Sequence, residues 1–214
     1  MPQPVERDLA GDGDGGRVDE LGDVRADGRE ADGREADDGA ATELFYAEGL
    51  RAVSVDKVIE RAGTTKVTFY RHFKSKDDLV VAHLERRAHL EREGIGAARA
   101  HAEGDADRTF QLIAEQLGVM SCEPGFRGCP FINAAAEYPD PTSAVRRVVE
   151  EHREWCKATF ADIVGPLGLA DPRAVADDLI LLRDGAMVAG YLDDEDALAA
   201  SFLRSSRALP RPGS

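Results

Sequence analysis

Apolar residues recur along this chain at helical rather than alternating spacing. Ala41, Leu44 and Phe45 share one face over 40–47, and Gly49 closes that segment. Val55, Val58, Ile59 and Ala62 share a face over 55–62, behind the capping residue Ser54. Gly63 stops this helix in a tight turn, and Thr64 or Thr65 caps a third helix over about 66–72. Val67, Phe69 and Phe73 are the apolar residues expected to pin the third helix to the second. Ser75 opens a longer helix reaching about Arg92, near Gly94 and Gly96. Beyond it the spacing predicts helices over 107–121, 131–138, 141–165, 172–191 and 194–207, punctuated by proline and glycine. No stretch alternates as a strand does, so the predicted fold class is all-α.

The later helices differ in kind. Over 141–165, Val145, Val148, Val149, His152, Trp155 and Thr159 form one stripe. The segment 172–191 is apolar almost all round (Val175, Leu179, Ile180, Leu181, Leu182, Met187, Val188, Tyr191), which requires burial on both sides. The last helix offers Leu198, Ala199, Phe202 and Leu203.

Charge divides the chain differently from hydrophobicity. Its 214 residues carry 27 Lys+Arg against 41 Asp+Glu, a net charge of -14. Residues 1–40 hold 13 acids and 5 bases, 8 of the 21 glycines, and two successive copies of ADGRE at 26–30 and 31–35. So few large apolar residues do not offset ordering entropy, so residues 1–36 are expected to be a disordered acidic tail. Such a tail is either an arm competing with DNA for the basic patch, or a solvated extension, or a gene-model overrun. Residues 51–76 are the exception, with seven bases against two acids. One basic patch in an acidic protein focuses polyanions there. No run approaches the roughly 18 apolar residues of a membrane helix. The N-terminus lacks an apolar signal core, and three cysteines are too few to staple a fold. A reducing cytoplasm is the expected location, with no membrane partner.

A short helix, a glycine turn and a second short helix is helix-turn-helix spacing. Lys66, Thr68, Tyr70, Arg71 and His72 supply donors along the second of these, suited to a major groove flanked by phosphates. The same geometry occurs without DNA; the concentration of positive charge favours DNA.

The run LFYAEGLRAVSVDKVIERAGTTKVTFYRHFKSKDDLV, residues 44–80, resembles the DNA-binding domain of the tetracycline-repressor (TetR) family of bacterial regulators. The matching features are the LF…EG end of the first helix, the SVDKV opening of the second, the AG turn, and T-x-Y-R-H-F-x-S-K. The resemblance implies a homodimer with a helix-turn-helix head over 37–82 and a larger effector-binding and dimerisation domain over 83–210. It implies double-stranded DNA with a palindromic operator as partner, and a small-molecule effector that releases it, hence a repressor. The last two helices are the expected four-helix dimer bundle. Carried over residue by residue, Tyr70, His72 and Lys76 match phosphate-contacting positions. Thr64, Thr65, Lys66, Thr68 and Arg71 match positions facing bases or adjacent phosphates, with Lys66 and Arg71 the candidates for guanine readout. The sequence departs from the family at Asp37, Asp38 and Gly39, where an aliphatic pair is usual. Carboxylates do not pack a core, so the first helix is expected to be shorter or looser.

The GC-x3-N run within GFRGCPFINAAAEYPDP, residues 125–141, is similar to a stretch bordering the effector cavity in one branch of the family. Phe126, Phe131, Asn133 and Tyr138, with Phe110, Met120 and Trp155, form the candidate pocket lining; the same spacing also describes plain core. Cys122 and Cys129, with Arg127 between them, are either a redox or electrophile sensor or inert buried thiols. The five histidines show no ligand spacing with cysteine or with one another, so neither a metal nor another cofactor is expected. No nucleophile elbow, phosphate loop or carboxylate pair suggests an enzyme. The alternative to a regulator is a helical interaction protein with an impaired head.

Overall fold

The structure, a computed structural model, describes residues 37–123, 125–192 and 196–208, the side chains of 196–198 excepted. The expected acidic tail over 1–36 lies outside these residues, as does the side chain of Leu198. Among the described residues every regular element is helical. Residues 37–48 form α1, followed by α2 (Val55–Ala62), α3 (Lys66–His72) and α4 (Lys76–His101). The rest of the chain forms α5 (Ala106–Ser121), α6 (Pro130–Glu137), α7 (Ala144–Val164), the 3-10 turn Gly165–Leu167, α8 (Pro172–Leu192) and α9 (Asp196–Arg207).

Capping fixes the boundaries. The Ser54 hydroxyl accepts the Lys57 N–H, Thr65 accepts that of Thr68, and Ser75 accepts that of Asp78, each at 3.1–3.2 Å. Each such cap contributes about 1 kcal/mol. Thr65, not Thr64, therefore begins α3. Gly63 ends α2 at φ 65°, a left-handed conformation that a side chain would strain.

Two expectations are overturned by packing. α1 is neither short nor loose. Asp37 and Asp38 are 0% and 7% exposed, and each carboxylate finds a partner. Asp37 Oδ2 lies 3.3 Å from His72 Nδ1, and Arg86 Nη1 donates to Asp38 Oδ2 at 2.9 Å. Paired carboxylates fasten α1 to α3 and α4, where the usual aliphatic pair would do so by apolar contact. Nor does α4 stop near Arg92: it runs through Gly94 and Gly96 to His101. Ile95 and Ala98 are buried, and a Cβ on Gly94 would lie 3.3 Å from Gln116 of α5. Burial of that face outweighs the roughly 1 kcal/mol that each helical glycine costs.

One hydrophobic core cluster runs from Ala41 in α1 to Phe202 in α9. α4 is its spine, packing on α7, α5 and α6, while α8 packs on α7 and α9, and α9 on α5. α8 is not buried all round within one chain: Leu181, Val188, Tyr191 and Leu192 are 47–69% exposed.

Candidate functional site

The helix-turn-helix is oriented from within. Val58, Phe69 and Phe73 are each at most 2% exposed, so they fix the inner side of α2 and α3. The opposite side of α3 faces outward. It carries Lys66, Val67, Tyr70 and Arg71, with Thr65 at its start and Lys74 just beyond its end. Val67 is 74% exposed and does not pin α3 to α2. Phe69 does that instead, because a seven-residue helix has room for one buried face. The sequence reading missed Val67 as a surface group; its place one residue after Lys66 on the outer face was the available signal.

The remaining candidates divide. Thr65 uses its hydroxyl to cap α3 and shares a hydrogen bond with Thr68 Oγ1 at 3.0 Å; Thr64 is half-buried. Tyr70 is half-exposed and stands edge-on to Phe69, ring centroids 5.3 Å apart. Lys66 Nζ pairs with Asp56 at 2.8 Å. Lys76 Nζ donates to the Arg51 carbonyl at 2.9 Å, and burial pushes its ammonium below the usual range. His72 is the correction: its side chain is 7% exposed and turned toward Asp37, so it does not share the outer face. Burial raises the Asp37 carboxyl above its ordinary range, against the smaller pull of His72.

Lys57 pairs with Glu48 and Arg61 with Glu43, each at 2.5 Å and exposed to solvent. Exposed pairs of this kind are worth about 0–1 kcal/mol.

The head is bolted to the body around α6. Glu137 accepts the backbone N–H groups of Leu50 and Arg51 at 3.0 and 2.6 Å. Tyr138 donates to Asp77 at 2.9 Å, Tyr46 to the Gly128 carbonyl at 3.0 Å, and Arg127 to the Ala47 carbonyl at 2.8 Å.

Two of the pockets in the body bear on the candidate lining residues. One, of about 270 Å3, lies between α4, α5, α6 and α8, and Met120 and Phe131 line it. The other, of about 250 Å3, lies at the junction with the head, and Asn133 lines it, donating to the Arg127 carbonyl at 2.9 Å. Phe110, Phe126, Tyr138 and Trp155 line neither. Phe110 packs edge-on against Phe160 at 5.6 Å, Phe126 sits beside Tyr46, and Tyr138 serves the junction. Trp155 stacks on His152 at 5.9 Å, and His152 stacks on Phe131 at 3.7 Å.

The first pocket also has a polar wall that the sequence reading missed. Arg183 Nη2 donates to Glu91 Oε1 at 2.5 Å, and His152 Nε2 lies 3.2 Å from Glu91 Oε2. His152 and Arg183 together hold the Glu91 carboxyl at about 2, against the opposing effect of burial. Burial first, then Glu91, pushes the Cys156 thiol up to about 12. A lone arginine inside the apolar run of α8 was the available signal. His152 and Cys156, four residues apart on α7, also correct the reading that no His/Cys ligand spacing exists. With Glu91 they bring ligand atoms within 4.8 Å of one another, although Arg183 already neutralises that carboxylate.

Cys122 is exposed and Cys129 buried, with Arg183 Nη1 3.9 Å from the Cys129 sulfur. Arg127 is committed to Ala47 rather than to either thiol. Cys129 thus lacks the exposure a sensor thiol needs. Among the described residues no helix is long and apolar enough to cross a membrane.

Comparison with known proteins agrees with this geometry. The family model described as bacterial regulatory proteins, tetR family, matches residues 39–83. The HTH-type transcriptional activator FasR of Mycolicibacterium smegmatis is 43% identical over 47 residues, 22% of this chain and 22% of its own length. The HTH-type transcriptional regulator LmrA of Bacillus subtilis is 24% identical over 137 residues, 63% of this chain and 72% of its own. The crystal structure of SCO4454, a TetR-family transcriptional regulator from Streptomyces coelicolor, is 39% identical with a TM-score of 0.78, covering 83% of this chain and 93% of that one. At that identity over nearly the whole of a family member, the chain belongs to the TetR family of helix-turn-helix, DNA-binding transcriptional regulators.

Proposed function

We propose that the protein is a homodimeric repressor that grips a palindromic operator and leaves it when a small molecule fills its helical body. The outer face of α3 carries this reading: Lys66, Val67, Tyr70 and Arg71 stand exposed together while Phe69 anchors the helix from below. In it, residues 37–82 read DNA and 83–210 bind the effector and dimerise. Lys66 and Arg71 donate to base edges, Val67 offers an apolar contact to a thymine methyl, and Thr64, Thr65 and Thr68 sit against the adjacent backbone. Tyr70 and Lys76 hold phosphates. His72 supports the site from inside through Asp37.

The dimer rests on the apolar stripe that α8 leaves exposed, because reading a palindrome requires two-fold symmetry. The larger-bodied α4 links the two functions, since it starts at Lys76 beside the DNA face and passes Glu91 in the pocket wall. A ligand shifts the equilibrium only by its differential affinity for the two arrangements.

The test is selection of binding sites from random DNA, followed by titration of the best site across salt concentrations and a reporter fused to it. An inverted repeat whose affinity falls steeply with salt, and whose reporter is silenced, is the expected result. A reporter that rises instead reverses the direction of control, the sense carried in the name of FasR. Failure of any sequence to enrich removes the operator reading.

A further inference from the structure

The pocket of about 270 Å3 carries an unbalanced charge. Ile95, Ile113, Leu117, Phe131 and Phe160, all in its wall, are each at most 6% exposed. Three charged side chains interrupt that apolar wall: Arg87, Glu91 and Arg183. Glu91 and Arg183 cancel each other at 2.5 Å. Arg87 is not cancelled. Its Nη2 faces the Met120 sulfur at 3.8 Å, and among the described residues no carboxylate lies within ion-pair distance of it. A thioether is a weak acceptor, so most donors of this half-buried guanidinium lack a strong partner. The guanidinium is only partly buried, so those donors are open to an anion that enters the pocket.

Glu91, one turn further on, is already engaged by Arg183 and His152. His83, one turn earlier on α4, is held neutral down to about pH 4 by burial and by Arg87 and Arg86. The neighbouring pocket of about 250 Å3 offers a contrast. Its Tyr46, Arg127 and Glu137 are already satisfied by the chain's own backbone.

We propose that the pocket beside Arg87 takes a small amphipathic carboxylate. The acid group meets the Arg87 fork with two parallel N–H···O bonds, and an aliphatic body lies against Ile113, Leu117 and Phe131. This narrows the effector reading given above and rests on it. The pocket is slightly smaller than the roughly 300–1,000 Å3 of drug-sized sites, which suits a medium-chain acid. Its single net positive charge suits a monoanion.

The chain has one tryptophan, and Trp155 reaches the pocket wall through His152 and Phe131. Titrating the full chain, without DNA, with octanoate, 1-octanol and octylamine reads occupancy as a change in Trp155 fluorescence. The expected order is octanoate tighter than octanol by about ten- to a hundred-fold, the scale of one charge-assisted contact, with octylamine weakest. Arg87→Met abolishes the preference and leaves octanol affinity within about threefold. Absence of octanoate binding, equal affinity for acid and alcohol, or a preference surviving in Arg87→Met overturns the proposal. Should that variant fail to fold by circular dichroism, the wild-type ranking alone decides. Operator release is measured separately. Octanoate that binds through Arg87 yet leaves the DNA complex intact refutes release while the ligand class stands.

Discussion

The Glu137 carboxylate accepts the backbone N–H of Leu50 at 3.0 Å although the two residues are 87 positions apart. Arg51 donates to its other oxygen at 2.6 Å, so one side chain of the body satisfies two amides just past the end of α1. Tyr138, the next residue, binds Asp77 in the first turn of α4 and lies under the Arg51 guanidinium at 5.3 Å. The start of α6, the helix that ends at Glu137, carries Pro130 and Phe131 into the pocket wall. An eight-residue helix spans about 12 Å and moves as a unit, so whatever displaces Phe131 also pulls on Glu137.

Glu137→Ala is expected to lower stability by about 1.5–3 kcal/mol, the worth of hydrogen bonds to a charged acceptor. Glu137→Gln keeps one acceptor oxygen and is expected to lose less. Gly49→Ala sets a Cβ 3.2 Å from Glu137 Oε1 at a φ of 96°, and is expected to cost about 1–2 kcal/mol. Denaturant unfolding of the three variants checks the order.

On the proposed DNA face, Lys76→Ala is expected to weaken binding on all sequences and reduce the salt slope by about 1. Tyr70→Phe also weakens every sequence, with a smaller salt effect because no charge is removed. Arg71→Ala relaxes the preference at one operator position, and Val67→Ala does so at a thymine while leaving the salt slope unchanged. Binding-site selection on each variant separates the two classes. An Arg71→Ala selection identical to wild type would remove Arg71 from base readout.

The helix boundaries of the helix-turn-helix were legible in the sequence because their signals are local. Ser54, Gly63, Thr65 and Ser75 fix helix ends through bonds three residues away. What the sequence hid depends on distant partners. Nothing near Asp37 announces His72, 35 residues on, so a buried side-chain contact read as a weak helix start. Val67 read as core because its chemistry is apolar and its exposure is set by Phe69. The pocket was legible only in part for the same reason: Met120 and Phe131 do line it, whereas its charged wall joins Arg87, Glu91 and Arg183 from two helices.

His83 gives a pH dependence with a definite sign. It is 2% exposed, with Nδ1 3.0 Å from Thr42 Oγ1, and its imidazole is held down to about 4 from the ordinary 6.5. Burial is the main cause, followed by Arg87 and Arg86. Between those values the unfolded chain binds a proton that the folded chain does not. This contribution to stability is therefore complete above pH 6.5 and is lost as pH falls to about 4, for a total of about 3 kcal/mol. His83→Gln can keep the bond to Thr42 and removes the titration. Urea unfolding at several pH values is expected to show a flatter profile for this variant between pH 6.5 and 4. Glu91, held at about 2, acts in a lower window, with losses beginning below its ordinary 4.5.

Leu181, Val188 and Leu192 are 65%, 47% and 69% exposed, and the spacing from 181 to 185, 188 and 192 keeps them on one stripe of α8. Gly185 lies within that stripe, and a Cβ added there meets nothing within 4 Å, which leaves room for a second helix to approach. Burying each large side chain is worth about 1.5–3 kcal/mol, and a two-fold axis uses each of them twice. The double variant Leu181→Arg with Val188→Arg places four like charges across that axis. It is expected to sediment as a folded monomer, with thermal stability of the single chain little changed because both positions are exposed there. Operator affinity then falls steeply, since each monomer holds only one half-site, while affinity for an isolated half-site stays as in the wild type. A double variant that remains dimeric with full operator affinity would place the subunit contact on another face and leave the apolar stripe of α8 to a different partner.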